Sequence, residues 1–255
     1  MTSENNSFNS SGAGNGSGDV EMPFLEHLEE LRQRIIYILI GLVIGTIAAW
    51  VFIDFLVDYI LLIPAKNAEL KLQNLKPFGQ LFLYFQVALI AGFVVSVPNF
   101  FYQLWRFISP ALQVKEKRYI KWIVFFSSLC FLSGIVFAYY LMLPLTLKFA
   151  AAFGSEDIEN NIAITEYFSI IISVMLAAGV VFELPIMSFF LSKLGIVTPK
   201  LMRRFRKHSI IVILALAAVL TPGTDPIAQL LLAIPLVLLY EISIFVSKYS
   251  QKRSE

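Results

Sequence analysis

The stretch Tyr102–Arg118, YQLWRFISPALQVKEKR, lies between two long apolar runs and is too polar to sit in hydrocarbon itself. It opens on ring-bearing side chains, Phe100, Phe101, Tyr102, Trp105 and Phe107, and turns at Pro110. It closes on Lys115, Glu116, Lys117 and Arg118, with Lys121 just beyond. Positive charge holds such a loop on the cytoplasmic side of a membrane, and that task needs no carboxylate. Glu116 therefore reads as the working group, and the basic and aromatic residues as its mounting.

The rest of the chain agrees with a membrane setting. Of its 255 residues 58% are apolar, and the mean hydropathy is +0.75. That exceeds the apolar share of a soluble domain and points to an all-α polytopic membrane protein. The single cysteine, Cys130, lies within an apolar run and cannot close an internal disulfide. No zinc-ligand spacing, phosphate-binding glycine loop or nucleophile elbow is present, so no cofactor, metal or covalent chemistry is implied.

Residues 1–20, rich in Ser, Asn and Gly, read as a disordered leader without the basic residues of a signal-peptide n-region. Residues 21–34 read as a cytoplasmic amphipathic helix, with Leu25, Leu28 and Leu31 on one face, lying on the membrane before the chain turns in. Within it Glu30 and Arg34 form an attractive i,i+4 pair. Residues 35–248 form a single membrane domain with six apolar runs: Ile35–Leu56, Leu81–Val97, Trp122–Leu143, Tyr167–Leu191, Ser209–Leu220 and Ile227–Val246. Residues 249–255 are a cytoplasmic tail. The fifth run gives only about 18 Å of helix against a hydrocarbon core of roughly 30 Å. It is either a short span or half of a re-entrant hairpin closed by Thr221–Pro226. With the N-terminus inside and six spans, sixteen of the 20 Lys and Arg fall in cytoplasmic segments and four outside. That bias orients the chain with both termini in the cytoplasm, although a re-entrant hairpin preserves it. The outer loop Val57–Gln80 and the second outer loop Pro144–Thr165, which begins with the helical-looking PLTLKFAAAF, are long enough to hold short helices.

Glu183, before Pro185 in GVVFELPIM, is an ionisable residue deep in an apolar run and hence a functional candidate. Its expected neighbours are Thr221 and Gln229. Glu241 suits interfacial pairing as well as function, and His27 and His208 read as solvated border residues. Glu30 and Glu116, both on the cytoplasmic face, would together form an acidic patch suited to guanidinium groups, which engage carboxylates through two parallel hydrogen bonds. The bland alternative is that each acid only neutralises its local base.

HLEELRQR, YQLWRFISPAL followed by KEKR, FAYYLMLPL, FELPI, the TP-turn-Asp run and QLLLAIPLVLLYEI together resemble the TatC family of twin-arginine translocase subunits, from about Pro23 to Lys248. The resemblance implies six membrane helices in a curved, cup-like arrangement, with the fifth and sixth short. It implies a signal-peptide receptor and core translocase subunit that exports folded proteins on the proton-motive force, in the cytoplasmic membrane, without enzymatic chemistry. Its partners would be twin-arginine signal peptides, single-span subunits of the TatA/TatB type, lipid and further copies within a complex, and no nucleic acid. By the same resemblance Glu30, Glu116, Arg32 and Phe107 match signal-peptide-binding positions. Glu183, Thr221 and Gln229 match a polar cluster where partner subunits dock, and Pro64 and Asp225 match functional positions in the outer loops. The rival is a small proton-coupled transporter using Glu183. The lack of internal repeats and of a second buried acid in the outer spans counts against it.

Overall fold

A backbone inside a bilayer must satisfy its own hydrogen bonds, and the long apolar runs do so as helices. The computed structural model describes residues 24–108, 120–152, 161–193, 195–220 and 226–252. Helix α1 spans Phe24–Val51, α2 Gly79–Ile108, α3 Ile120–Phe137, α4 Leu143–Ala152, α5 Ile164–Phe182, α6 Leu184–Lys193, α7 Arg206–Leu220 and α8 Pro226–Lys252. Among the described residues four stretches are long and apolar enough to cross a membrane: Glu26–Val51, Gly79–Ile108, Ile120–Lys148 and Ile164–Lys193. Their outer faces are apolar and bare, as at Ile44 (63% exposed) and Val51 (73%), which suits contact with lipid.

Three expectations need correction. The amphipathic segment ending at residue 34 does not turn before the first span. It continues into α1 as one helix of 28 residues, because neither Gly nor Pro interrupts the ladder around Arg34. The sixth helix is not short: α8 has 27 residues and runs past the apolar stretch into its basic end, with Pro235 accommodated inside. The fifth, α7, is indeed short at 15 residues. Finally, a wholly helical reading missed β1 (Lys71–Gln73) and β2 (Asn161–Ala163), which pair in parallel with Leu72 opposite Ile162 and tie the two outer loops together.

Helices α1 and α2 run antiparallel and approach until backbone touches backbone. A Cβ on Gly45 would stand 2.5 Å from the Gly92 carbonyl oxygen, so only glycine permits this crossing. Small residues serve membrane helix pairs in this way, since lipid supplies no hydrophobic drive to bring helices together. Gly134 of α3 meets the Ala178–Gly179 backbone of α5 on the same principle. Helices α6 and α8 run parallel. Ser188 donates to the Ser243 carbonyl at 3.2 Å, and the Ser192 and Ser247 hydroxyls bond to each other one turn on. One buried cluster, around Tyr167, Phe168, Leu143 and Val87, sits towards the outer loops. A second, around Trp105, Phe101, Phe131 and Phe190, sits nearer the charged end, with the Trp105 and Phe190 rings edge to face at 4.3 Å.

Candidate functional site

The antiparallel α1–α2 pair brings the start of one helix beside the end of the other, and this builds a polar chain at the charged end. Glu30 Oε1 accepts from Arg34 Nη2 at 2.9 Å, with the two side chains only 19% and 16% exposed. Arg34 Nη1 donates to Gln103 Oε1 at 3.3 Å. Gln103 Nε2 reaches Asn99 Oδ1 at 3.4 Å, and Asn99 Nδ2 donates to the Tyr37 carbonyl at 3.1 Å. Phe107 stacks on His27, ring centroids 4.5 Å apart. Arg32 lies on the exposed side of α1. Glu30 and Phe107 are thus gathered at one end of the α1–α2 pair. Glu116 lies outside the described residues, as do Thr221 and Asp225. The local base expected for Glu30 is present as Arg34. Sequence reasoning noted that pair from its spacing but missed Gln103, whose position opposite Arg34 follows only from the α1–α2 register.

The second place is the break in the fourth span. Glu183 separates α5 from α6, where Pro185 removes a helix donor. Its carboxyl is buried, 7% exposed, and neither oxygen closes a hydrogen bond with the described residues. The Ser127 hydroxyl and the Phe131 backbone of α3 are turned towards it, and among the described residues Ser127 Oγ is itself buried without a partner. The facing groups therefore come from α3, which corrects the expectation of Gln229. The α6–α8 contacts pair residue 188 with 243 and 192 with 247, so the same register sets 183 level with 238. Gln229 stands nine positions earlier on α8, roughly 13 Å along the axis at the helical rise. There it donates to the Leu214 carbonyl at 2.8 Å, joining α8 to α7. Glu241 pairs with Arg206 at 2.6 Å, with both side chains about half exposed.

The third place surrounds Pro64, buried at the start of the helical turn Ile63–Asn67. Proline offers no N–H to the carbonyl four residues back, and the Tyr139 hydroxyl donates to that carbonyl, Ile60, at 2.7 Å. The fully buried Tyr167 goes further. Its hydroxyl donates to the Leu61 carbonyl at 2.7 Å and accepts from Ala65 N at 3.0 Å, standing where an i→i−4 bond would close. An open cleft of about 830 Å³ lies beside it, lined by Tyr59, Pro64, Tyr139, Tyr140 and Lys148. Among the described residues no group of three or more His, Cys, Asp or Glu could hold a metal.

These features coincide with extended similarity to known proteins. The family model described as TatC, Sec-independent protein translocase protein, matches residues 26–235. The Sec-independent protein translocase protein TatC of Aquifex aeolicus is 37% identical over 238 residues, covering 92% of this chain and 98% of the relative. That of Carboxydothermus hydrogenoformans is 36% identical over 231 residues, covering 91% and 95%. A crystal structure of a twin-arginine translocase receptor, TatC, superposes with a TM-score of 0.80 at 38% identity, over 88% of this chain and 99% of the other.

Proposed function

The chain belongs to the TatC family of Sec-independent protein translocases, and on that premise we propose that it is the receptor subunit of a twin-arginine export system, in which Glu30 takes a guanidinium of the signal peptide. The observation that carries the reading is a carboxylate at the charged end of α1, held in a guanidinium-binding arrangement beside Phe107 and His27. Glu116 supplies the second carboxylate, and Arg32 and Phe107 border the socket. The peptide's apolar part follows the helical face inwards. The six helices form a cup with both termini in the cytoplasm, and α7 and α8 complete its wall. Single-span partner subunits dock at the polar positions Glu183, Thr221 and Gln229, while Pro64 and Asp225 shape the outer loops. Folded precursors cross on the proton-motive force, and the chain is a transport component with no covalent chemistry of its own.

A charge-assisted hydrogen bond to a carboxylate contributes about 1.5–3 kcal/mol, which is reduced by water and salt at this surface. Glu30→Gln is therefore expected to weaken binding of an Arg-Arg signal peptide by about tenfold or more. Replacing both peptide arginines by lysine weakens binding to the unaltered protein comparably, because an ammonium lacks the planar fork. The check is anisotropy of a labelled peptide with the detergent-purified full chain. Unchanged affinity on Glu30→Gln would remove Glu30 from the site.

A further inference from the structure

We propose that Arg34 is a specificity-determining residue of this receptor: its guanidinium already occupies Glu30, so a ligand enters only by exchanging a guanidinium of its own for the resident one. The inference rests on the reading of Glu30 as the peptide's carboxylate.

The geometry is that of an occupied site. Arg34 Nη2 lies 2.9 Å from Glu30 Oε1, and both side chains are more than four-fifths covered. An exposed pair would be loosened by water and salt, whereas a covered one is much less so. The two groups stand one turn apart on a single helix, so Arg34 competes for Glu30 at the high effective concentration of an intramolecular ligand. Its second arm rests on Gln103, which Asn99 anchors in turn to the Tyr37 carbonyl. On displacement the Gln103 oxygen remains as an acceptor for the arginine once Glu30 is taken.

Discrimination follows from this competition. Arg34 holds only Oε1 of Glu30 and leaves Oε2 free of any such bond from it. A peptide guanidinium can take both oxygens through its fork and so gain more than the resident loses. A lysine ammonium offers one point charge, gains nothing over the resident contact, and is excluded. A receptor with an empty carboxylate would bind either cation by charge. The resident arginine raises the threshold to a level that guanidinium chemistry clears.

The test measures binding of labelled Arg-Arg and Lys-Lys signal peptides to the full chain in detergent or nanodiscs. Arg34→Gln is expected to tighten the Arg-Arg peptide about tenfold and the Lys-Lys peptide more, so that the ratio between them shrinks. Arg34→Lys, which keeps the charge but loses the fork, is expected to fall between the two and serves if Arg34→Gln fails to fold. Weaker binding of both peptides by the same factor would mean that Arg34 merely holds Glu30 in place, and it would overturn the inference, as would an unchanged ratio. Glu30→Gln separates this failure from that of the underlying site: if it leaves both peptides at wild-type affinity, the site reading itself is wrong.

Discussion

Glu183 carries a carboxyl group into an apolar interior with neither oxygen hydrogen-bonded to the described residues. A buried polar group left this way costs about 1–3 kcal/mol, and the nearby Ser127 hydroxyl is equally unpartnered. An ionisable group inside a membrane helix marks a functional position, and the proposed docking gives this one its use. Glu183→Leu is therefore expected to raise the thermal midpoint of the purified protein by several degrees, on the scale of 2–4 °C per kcal/mol for a chain of this size. Under the proposed docking at Glu183, the same change is expected to abolish co-purification of a single-span partner subunit. A lowered midpoint would instead identify the carboxyl as part of the protein's own hydrogen bonding. The residue was legible in the sequence, because an acid inside GVVFELPIM is conspicuous. Ser127 was not: serine is common in membrane helices, and only the packing of α3 against α5 turns this one towards Glu183.

The helical segment after α1 is completed by side chains from elsewhere. It includes a widened, π-helical turn at Leu56–Leu61, and two tyrosine hydroxyls serve the carbonyls around Pro64. Tyr167 is bound at both its donor and acceptor sides, so Tyr167→Phe orphans the Ala65 N–H and the Leu61 carbonyl together. The expected loss is about 1–3 kcal/mol. Tyr139→Phe removes a partner from the Ile60 carbonyl alone and is expected to cost less. Denaturant or thermal unfolding in detergent measures both, and equal losses would show that the second bond of the Tyr167 hydroxyl, from Ala65 N, adds nothing. The apolar runs announced the long helices, and the proline announced a break. The parallel pairing of Lys71–Gln73 with Asn161–Ala163 was hidden, since three residues carry no periodicity and the partner lies some ninety positions away.

Across the whole molecule, charge placement carries the proposed orientation. Lys66 and Lys71 stand between α1 and α2, while Lys200, Arg203 and Arg204 stand before α7 and Arg206 and Lys207 open it, a basic concentration that supports the proposed cytoplasmic placement of that end. In a chain whose Cys130 is replaced by Ser, a cysteine at position 66 is expected to react with an impermeant maleimide on intact cells. One at position 207 is expected to react only after lysis. Labelling of both from the same side would contradict the arrangement of six spans with both termini inside.

The amino-acid sequence by itself determined the membrane class, the place of the four long apolar helices, the bias of charge and, through motifs such as HLEELRQR and FELPI, the family resemblance. These are local sums of hydropathy and charge or short linear patterns, and they need no knowledge of neighbours. Only the tertiary structure decided that Arg34 is backed by Gln103, that Glu183 faces α3 while Gln229 serves α7, and that Tyr167 completes a helix a hundred residues before it. Each of these depends on the register in which two helices meet. That register is set by where glycines let backbones touch and where side chains interlock, and a slip of one turn would give Gln103, Gln229 and Tyr167 different partners.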